Sequence, residues 1–432
     1  LICVMKEVEV GHHSVLLTRC EGKYSAIGNQ CTHYGAPLSK GVITGHTVRC
    51  PWHGACFNAH TGDLEEFPGI DCLPFHVIVC FFFMIQTLRQ EKRLKNMGVA
   101  TPGDTRTILL LGGGAASLIC AEILRQENYG GRIIMASRDE LLPYDKTRLS
   151  KVMNVESDTI VLRRMEFFHR YDIEVWLRKE ARAVDTDKKT VTFDDGSVQS
   201  YDQLLISTGC RYTQNTQCML SEKNVKFYMN ANVTEVRGAD GKVKEIVLKS
   251  GDVIPADVLI VGIGIKPNSE YLKGSKIHMD SKNFVTVDKY MRTNVPDVYC
   301  AGDLATFPLM MAKGQLVNIG HWQMAQAHGR IAALNMLNRQ TELSSVPFYW
   351  TVLLGKTIRY AGYGEGYTEI VMKGNFEDKK FLALYIKEDR VIAAASLNFD
   401  PAVSAVAERL VSGKVISKEE AASDDLSWLQ LS

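Results

Sequence analysis

Three things that this sequence lacks narrow its function before any motif is read. It has no surplus of charge: 50 Lys and Arg stand against 49 Asp and Glu, a net charge of +1. Proteins that grip nucleic acid or an anionic membrane need excess cations for the phosphates, so those classes are set aside and small molecules or proteins are expected as partners. It has no long apolar run: the longest, Val77 to Ile85, is nine residues, whereas a bilayer-spanning helix needs about 20. That run reads as a buried strand. It also lacks the cysteine density of a disulfide-stapled secreted domain, its 11 cysteines being odd in number and scattered over 432 residues. A reducing compartment with metal-bound thiolates is expected. Tandem repeats and low-complexity segments are absent. No charged or amphipathic leader precedes the strand-like sequence at Leu1, so the N-terminus reads as incomplete.

What is present is the balance of a globular protein, with 46% apolar and 23% charged residues, and a length suited to about three domains. Residues 1–85 hold short β-like runs punctuated by Gly, Asn and Pro, the pattern of a small all-β domain. Residues 86–106 turn basic and then turn-rich, as a linker does. From Thr107 an apolar strand, a Gly turn, a helix and another strand follow, which is α/β grammar. The last ninety or so residues show strand pairs around a charged KEDR turn, then an Ala-rich helix from Pro401, an α+β tail.

The most specific signal is Cys31-Thr-His33, followed at a distance by Cys50-Pro-Trp-His53. A Rieske [2Fe–2S] centre needs two thiolates on one iron and two imidazoles on the other, and two loops can supply one of each per loop. Zinc is the main rival, but its common spacings place Cys with Cys and His with His. The interleaved pattern favours the cluster. Together with GAPLSKG and CPWHGACFNAHTG, these residues make the N-terminal region resemble the Rieske ferredoxin-type domain. Where the respiratory branch of that family carries a bracing disulfide, this sequence has Ala36 and Trp52. The resemblance therefore implies the lower-potential electron-transfer type. Cys56, Cys3, Cys20, Cys72 and Cys80 have no motif partner and read as small buried hydrophobes.

The strand Thr107–Leu111 runs into Gly112-Gly-Gly114 and a helix opening at Ala115 and Ala116. Gly112 and Gly114 let the backbone turn tightly beside a pyrophosphate, whose charge the first amides of the helix meet. The third fingerprint position is Ser117, and the nearest acidic residues after the second strand are Asp139 and Glu140. Alone, such a fingerprint is equally a tight βα turn. LLPYDKTRLSK at 141–151, YDQLLISTG at 201–209 and TNVPDVYCAGD at 293–303 then resemble, in order, the FAD-domain segments of two-dinucleotide-fold flavoprotein reductases. That resemblance implies a discontinuous FAD domain, 107–209 with 293–340. It implies FAD contacts at Asp139, Lys146, Thr208, Gly209, Gly302 and Asp303, with Lys151 near the flavin ring as its tuning, catalytic residue. Segments 318–337 and 346–366 extend the likeness into a C-terminal reductase domain, 341–432, and bring His321, Trp322 and Trp350 near the flavin. With the Rieske module in front, the whole is similar to the Rieske-bearing branch of the apoptosis-inducing factor family. That likeness implies a mitochondrial, otherwise intracellular, location and a link to cell death.

One expected part is missing. A reductase of this class should carry a second glycine fingerprint for NAD(P)H, but only fifteen residues, 210–224, separate the STG turn from the next strand, and one βαβ unit needs about 30. Residues 210–292 therefore read as a truncated remnant, its β-meander kept and its glycine-rich half gone. A shortened variant and an incomplete gene reading or splice product both explain this. No Cys-x-x-Cys accompanies the flavin segments, which sets disulfide-reductase chemistry aside. The leading expectation is an oxidoreductase running from NAD(P)H through FAD to the cluster, with an unidentified acceptor. The alternatives are a cofactor-bearing interaction protein without turnover and a Rieske carrier fed by other reductases.

Overall fold

Two-residue turns fold the N-terminal strands back on themselves. β1 (Val4–Val10), β2 (His13–Cys20) and β3 (Lys23–Gly28) pair antiparallel, and β8 (Phe75–His76) closes the sheet in the order β1-β2-β3-β8. Glu21 and Gly22 take φ of 50° and 79° between β2 and β3, the conformation whose twist matches paired strands. A second sheet, β4 (Val42–Thr44), β5 (Thr47–Arg49), β6 (Cys56–Asn58) and β7 (Leu64–Glu66), is antiparallel throughout. Leu16, Ile27, Leu38, Val48, Phe57 and Leu73 fill the core of this domain.

The computed structural model describes residues 3–76, 92–151, 155–211, 226–261 and 264–429. The run 77–85, read as a strand, lies outside them. Of the segment read as a linker, 86–106, the described part starts against the N-terminal domain: Arg93 pairs with Cys72 across an isolated bridge and donates to the Leu73 carbonyl. Among the described residues, no helix is long and apolar enough to cross a membrane.

The α/β part is a parallel sheet whose strands are apolar along their length, as strands covered on both faces must be. β9 (Thr107–Leu111), α1 (Ala115–Gln126), β10 (Arg132–Ala136), α2 (Met165–Arg170) and β11 (Ile173–Trp176) succeed one another in βαβ order. A three-stranded antiparallel sheet, β12 (Ala181–Asp185), β13 (Thr190–Phe193) and β14 (Val198–Ser200), precedes β15 (Gln203–Ile206), and β16 (Cys210–Arg211) follows it.

Residues 210–266 form a separate compact unit. It contains an antiparallel meander of β17 (Val233–Ala239), β18 (Lys242–Leu248) and β19 (Val253–Pro255). β20 (Lys266–Pro267) and β21 (Val285–Thr286) lead on to β22 (Val298–Cys300), which completes the parallel sheet as β11-β10-β9-β15-β22. The remnant read as 210–292 is thus shorter: Leu272, Ile277, Val285, Val287 and Met291 are buried in the core of the parallel sheet, so the chain from Pro267 belongs to the large unit.

β23 (Ala305–Leu309) and β24 (Gln315–Val317) precede α3 (Trp322–Met336), which lies against α1. A Cβ on Gly329 would sit 2.2 Å from the Ala116 carbonyl oxygen, so the close approach of the two helices requires glycine there. The C-terminal domain is an antiparallel sheet of β25 (Phe348–Leu353), β26 (Lys356–Gly362), β27 (Glu369–Asn375), β28 (Lys380–Lys387) and β29 (Arg390–Leu397), backed by α4 (Ala402–Val411) and followed by α5 (Lys418–Ala422).

Buried polar groups fasten the N-terminal domain to the rest of the large unit. Arg163, 9% exposed, bridges Asp71 at 2.8 Å and Glu122 of α1 at 2.9 Å, and donates to the Ile70 carbonyl at 3.0 Å. From α3, Gln326 donates to the Gly69 carbonyl at 2.8 Å.

Candidate functional site

Two loops of the N-terminal domain share one construction. In each, a cysteine N–H donates to the carbonyl five residues on, Cys31 to Ala36 at 2.9 Å and Cys50 to Ala55 at 2.8 Å. A left-handed glycine one residue before that carbonyl turns the chain, Gly35 at φ 76° and Gly54 at φ 79°. The folded loops bring the four predicted ligands together as two pairs. The Cys31 and Cys50 thiols hydrogen-bond each other, and the His33 and His53 Nδ1 atoms stand 3.2 Å apart. Among the described residues no three His, Cys, Asp or Glu side chains converge where a single ion would sit. Thiol with thiol and imidazole with imidazole, in two separate pairs, is the arrangement that a two-iron Rieske cluster takes, whereas a tetrahedral zinc site gathers all four donors on one ion.

Burial sets the protonation of these groups. It lowers His33 to about 4 and His53 to about 2, so both rings are neutral and able to ligate. In the buried cysteine pair, the thiol–thiol hydrogen bond lowers the Cys50 thiol and raises Cys31 well above the ordinary range, where desolvation adds to the rise.

The loops are held against the reductase body. Arg49, directly before the predicted ligand Cys50, ion-pairs with Glu408 of α4 and donates to the Gly54 carbonyl at 2.9 Å. Ser404, one turn earlier on α4, donates to the Cys50 carbonyl at 3.0 Å. A Cβ on Gly54 would lie 2.7 Å from the Phe348 ring. Trp350 stands between the loops and His321, its ring centroid 5.0 Å from His53, 5.7 Å from His33 and 4.8 Å from His321. Tyr34, directly after the predicted ligand His33, donates from its hydroxyl to Asp145 at 2.6 Å. Reasoning from sequence did not single out Arg49, Glu408, Ser404, Tyr34 or Asp145.

The glycine turn has the features of a pyrophosphate cradle. A Cβ on Gly112 would meet the Ser207 carbonyl oxygen at 2.4 Å and one on Gly113 the Ser137 hydroxyl at 2.6 Å, whereas at Gly114 nothing lies within 4 Å. Gly114 caps α1 without a side-chain hydrogen bond, and Ala115 and Ala116 open the helix. Uncapped amides beside open space fit a dinucleotide phosphate. Gly302 donates its N–H to His328 Nδ1 at 3.2 Å, and Asn318 donates to the Asp303 carbonyl at 2.9 Å. The His328 Nε2 and His321 Nδ1 atoms are buried with no hydrogen-bond partner, which leaves polar groups for a bound molecule to meet. Burial lowers His321 to about 4 and His328 to about 3.

The remaining predicted residues lie as follows. Trp322 is half-buried at the start of α3. Thr208 donates to the Asn268 carbonyl at 2.8 Å, and Gly209 accepts from the Asn268 N–H at 3.0 Å. Asp139 is three residues past β10, while Ser137, at the strand's end, faces Gly113. Lys146 is exposed with its ammonium over the Tyr144 ring. Lys151 is exposed and donates to Thr351 Oγ1 at 2.7 Å, on the strand that carries Trp350.

Among the described residues of 210–266 there is no helix, so no glycine turn leads into a helix N-terminus there. The segment 256–261, whose apolar sequence suits a buried strand, is instead exposed, Val258 at 75% and Ile260 at 89%.

Comparison with known proteins agrees with this architecture. The chain matches the models of the Rieske [2Fe-2S] domain at residues 4–81, pyridine nucleotide-disulphide oxidoreductase at 106–217 and 211–329, and reductase C-terminal at 348–430. It belongs to the pyridine nucleotide-disulphide oxidoreductase family, as an FAD-dependent NAD(P)H oxidoreductase that also carries a Rieske [2Fe–2S] domain. It is 40% identical to apoptosis-inducing factor 3 of Homo sapiens over 518 aligned positions, covering 98% of this chain and 86% of that one. Since 98% of 432 residues is about 423, the human protein has about 95 residues in this span opposite no residue of this chain. Rubredoxin-NAD(+) reductase of Pseudomonas putida is 24% identical over 67% of this chain and 95% of its own. Among solved structures, a covalent putidaredoxin reductase–putidaredoxin complex matches with TM-score 0.70 at 18% identity, over 76% of this chain and 98% of that one. A ferredoxin reductase from Rhodopseudomonas palustris matches with TM-score 0.68 at 20% identity, over 75% and 98%.

Proposed function

We propose that this chain passes electrons from NAD(P)H through FAD to its Rieske [2Fe–2S] cluster, and onward to an acceptor outside the chain. The observation that carries the reading is Trp350, whose ring packs on both imidazole ligands and on His321. FAD supplies the change from two-electron to one-electron chemistry that a cluster needs. Relatives are named as reductases of rubredoxin or of a ferredoxin, and we read the Rieske domain as such a carrier joined to its reductase.

In this reading Cys31, His33, Cys50 and His53 hold the cluster. The amides of Gly114, Ala115 and Ala116 receive the FAD pyrophosphate, with Gly112, Thr208, Gly209, Gly302, Asp303 and Trp322 lining the same site. Lys151 orients the flavin edge from its anchor on Thr351, and Asp139 and Lys146 serve the cofactor's outer end. By likeness to apoptosis-inducing factor we further place the protein in mitochondria with a role in apoptosis, which cell fractionation tests.

A second reading, a cofactor-loaded protein blind to NAD(P)H, is favoured by the helix-free described residues of 210–266. Anaerobic titration of the reconstituted protein with NADH and NADPH, dithionite serving as control, separates the two. Bleaching of the flavin together with appearance of the reduced-cluster resonance supports the first. Reduction by dithionite alone supports the second.

A further inference from the structure

We infer that Cys3 and Cys20 form a redox-modifiable pair, closing to a cross-strand disulfide when the protein meets a low-molecular-weight disulfide. The ladder of β1 and β2 runs Val10 opposite His13 to Val4 opposite Arg19. One step further sets Cys3 opposite Cys20. Directly opposed residues of an antiparallel pair have Cα atoms about 4.5–5.5 Å apart, inside the about 4.4–6.8 Å that a disulfide spans. The thiols already face each other: Cys20 hydrogen-bonds to the Cys3 sulfur, and the Cys3 thiol donates to the Gly45 carbonyl at 3.1 Å. Cys3 is half-buried and reachable, whereas Cys20 is wholly buried. Among the described residues the other thiol pair that meets is Cys31 with Cys50, which the cluster occupies.

The chemistry balances with glutathione disulfide as oxidant. The Cys3 thiolate attacks one glutathione sulfur, forming a mixed disulfide and releasing one glutathione thiolate. Cys20 then gives up its proton and attacks the Cys3 sulfur, forming the protein disulfide and releasing the second glutathione. Two electrons pass from the cysteine sulfurs to the glutathione sulfurs. Cys20 lies in the same core cluster as Cys31 and Cys50, so the bond would tie the start of β1 to the core that carries the cluster loops.

The test uses the cluster-loaded protein, exposed to glutathione disulfide, quenched with N-ethylmaleimide and digested with trypsin without reduction. Lys6 and Arg19 supply cleavage sites between the two cysteines. The expected product is the Cys3 peptide joined to the Cys20 peptide, lighter than their sum by two hydrogens and free of glutathione. Cys20→Ser should instead stop at Cys3 carrying glutathione, and Cys3→Ser should yield neither product while Cys20 stays unmodified in the folded protein. Recovery of both wild-type cysteines as maleimide adducts, or of wild-type Cys3 as a lasting glutathione adduct, would overturn the inference. Cys3→Ser changes only the half-exposed strand start, so it serves as the control if Cys20→Ser does not fold.

Discussion

Arg49 and Glu408 form a buried ion pair, their side chains 4% and 6% exposed, that joins the residue before the proposed ligand Cys50 to the last turns of α4. Removing one partner of such a pair leaves an uncompensated charge out of water, which costs about 3–5 kcal/mol. Glu408→Ala should therefore destabilise the protein by about that amount and loosen the second cluster loop, seen as a lower denaturation midpoint and faster cluster loss to a chelator. Glu408→Gln, which still accepts from Arg49, should retain more of both. Unchanged midpoints for Glu408→Ala would show that the pair does not hold the loop.

Gly114 and Gly112 offer a contrast that isolates the cofactor cradle from the fold. A side chain at Gly112 would run into the Ser207 carbonyl, but Gly114 has open space and φ of −96°, which any residue adopts. Gly114→Ala should leave cofactor-free stability within about 1 kcal/mol of wild type, the scale of an N-cap change. Its methyl group should weaken FAD binding at least tenfold, about 1.4 kcal/mol, by standing where the phosphate approaches. Calorimetric FAD binding beside a denaturation curve measures both, and equal FAD affinity in the variant would place the pyrophosphate elsewhere.

What could be read in the sequence was chemistry at short range. Cys31-x-His33 and Cys50-x-x-His53 state their ligand set within each loop, and the Gly-Ala that follows each histidine marks the matching turns. The central parallel strands announce themselves by the apolar stretches Ile108–Leu111, Ile133–Ala136 and Leu204–Ile206, and the glycine turn by its place between strand and helix. Arg49 and Glu408 are 359 positions apart, and neither carries a local sign of the other. Tyr34 and Asp145 lie inside recognised motifs, yet their hydrogen bond exists only because two domains meet. Residues 256–261 have the apolarity of a buried strand, but apolarity does not supply a partner: the described residues include no partner strand for them, and Val258 and Ile260 stay exposed. Residues 267–292 were grouped with the remnant by position in the chain, while Leu272, Val285 and Met291 had the volume and apolarity to join the larger core.

His328 should make stability depend on pH in a defined direction. It is fully buried beside Phe307, and desolvation lowers it to about 3, against 6.5 when exposed. Between those values the unfolded chain binds the proton and the folded chain does not, so stability is whole above about pH 6.5 and falls as pH drops toward 3. The contribution changes by up to about 1.4 kcal/mol per pH unit in that window. His328→Gln keeps an acceptor for Gly302 and removes the titration. Urea midpoints from pH 7.5 to 5 should therefore fall less steeply for the variant than for wild type, and parallel slopes would refute the assignment.

His53 and His46 test the cluster assignment against each other. Each has a histidine neighbour at 3.2 Å, His33 for His53 and His60 for His46. Only the His33–His53 pair stands beside a pair of thiols, and burial keeps its rings neutral; His46 is half exposed. His53→Ala removes one of two imidazoles from one iron and should abolish the Rieske paramagnetic resonance signal. Flavin absorbance should remain, because the glycine turn and α1 share no residue with the cluster loops. His46→Ala should leave both signals at wild-type intensity. A cluster signal that survives His53→Ala, or one lost with His46→Ala, would move the ligand set away from the two cysteine loops.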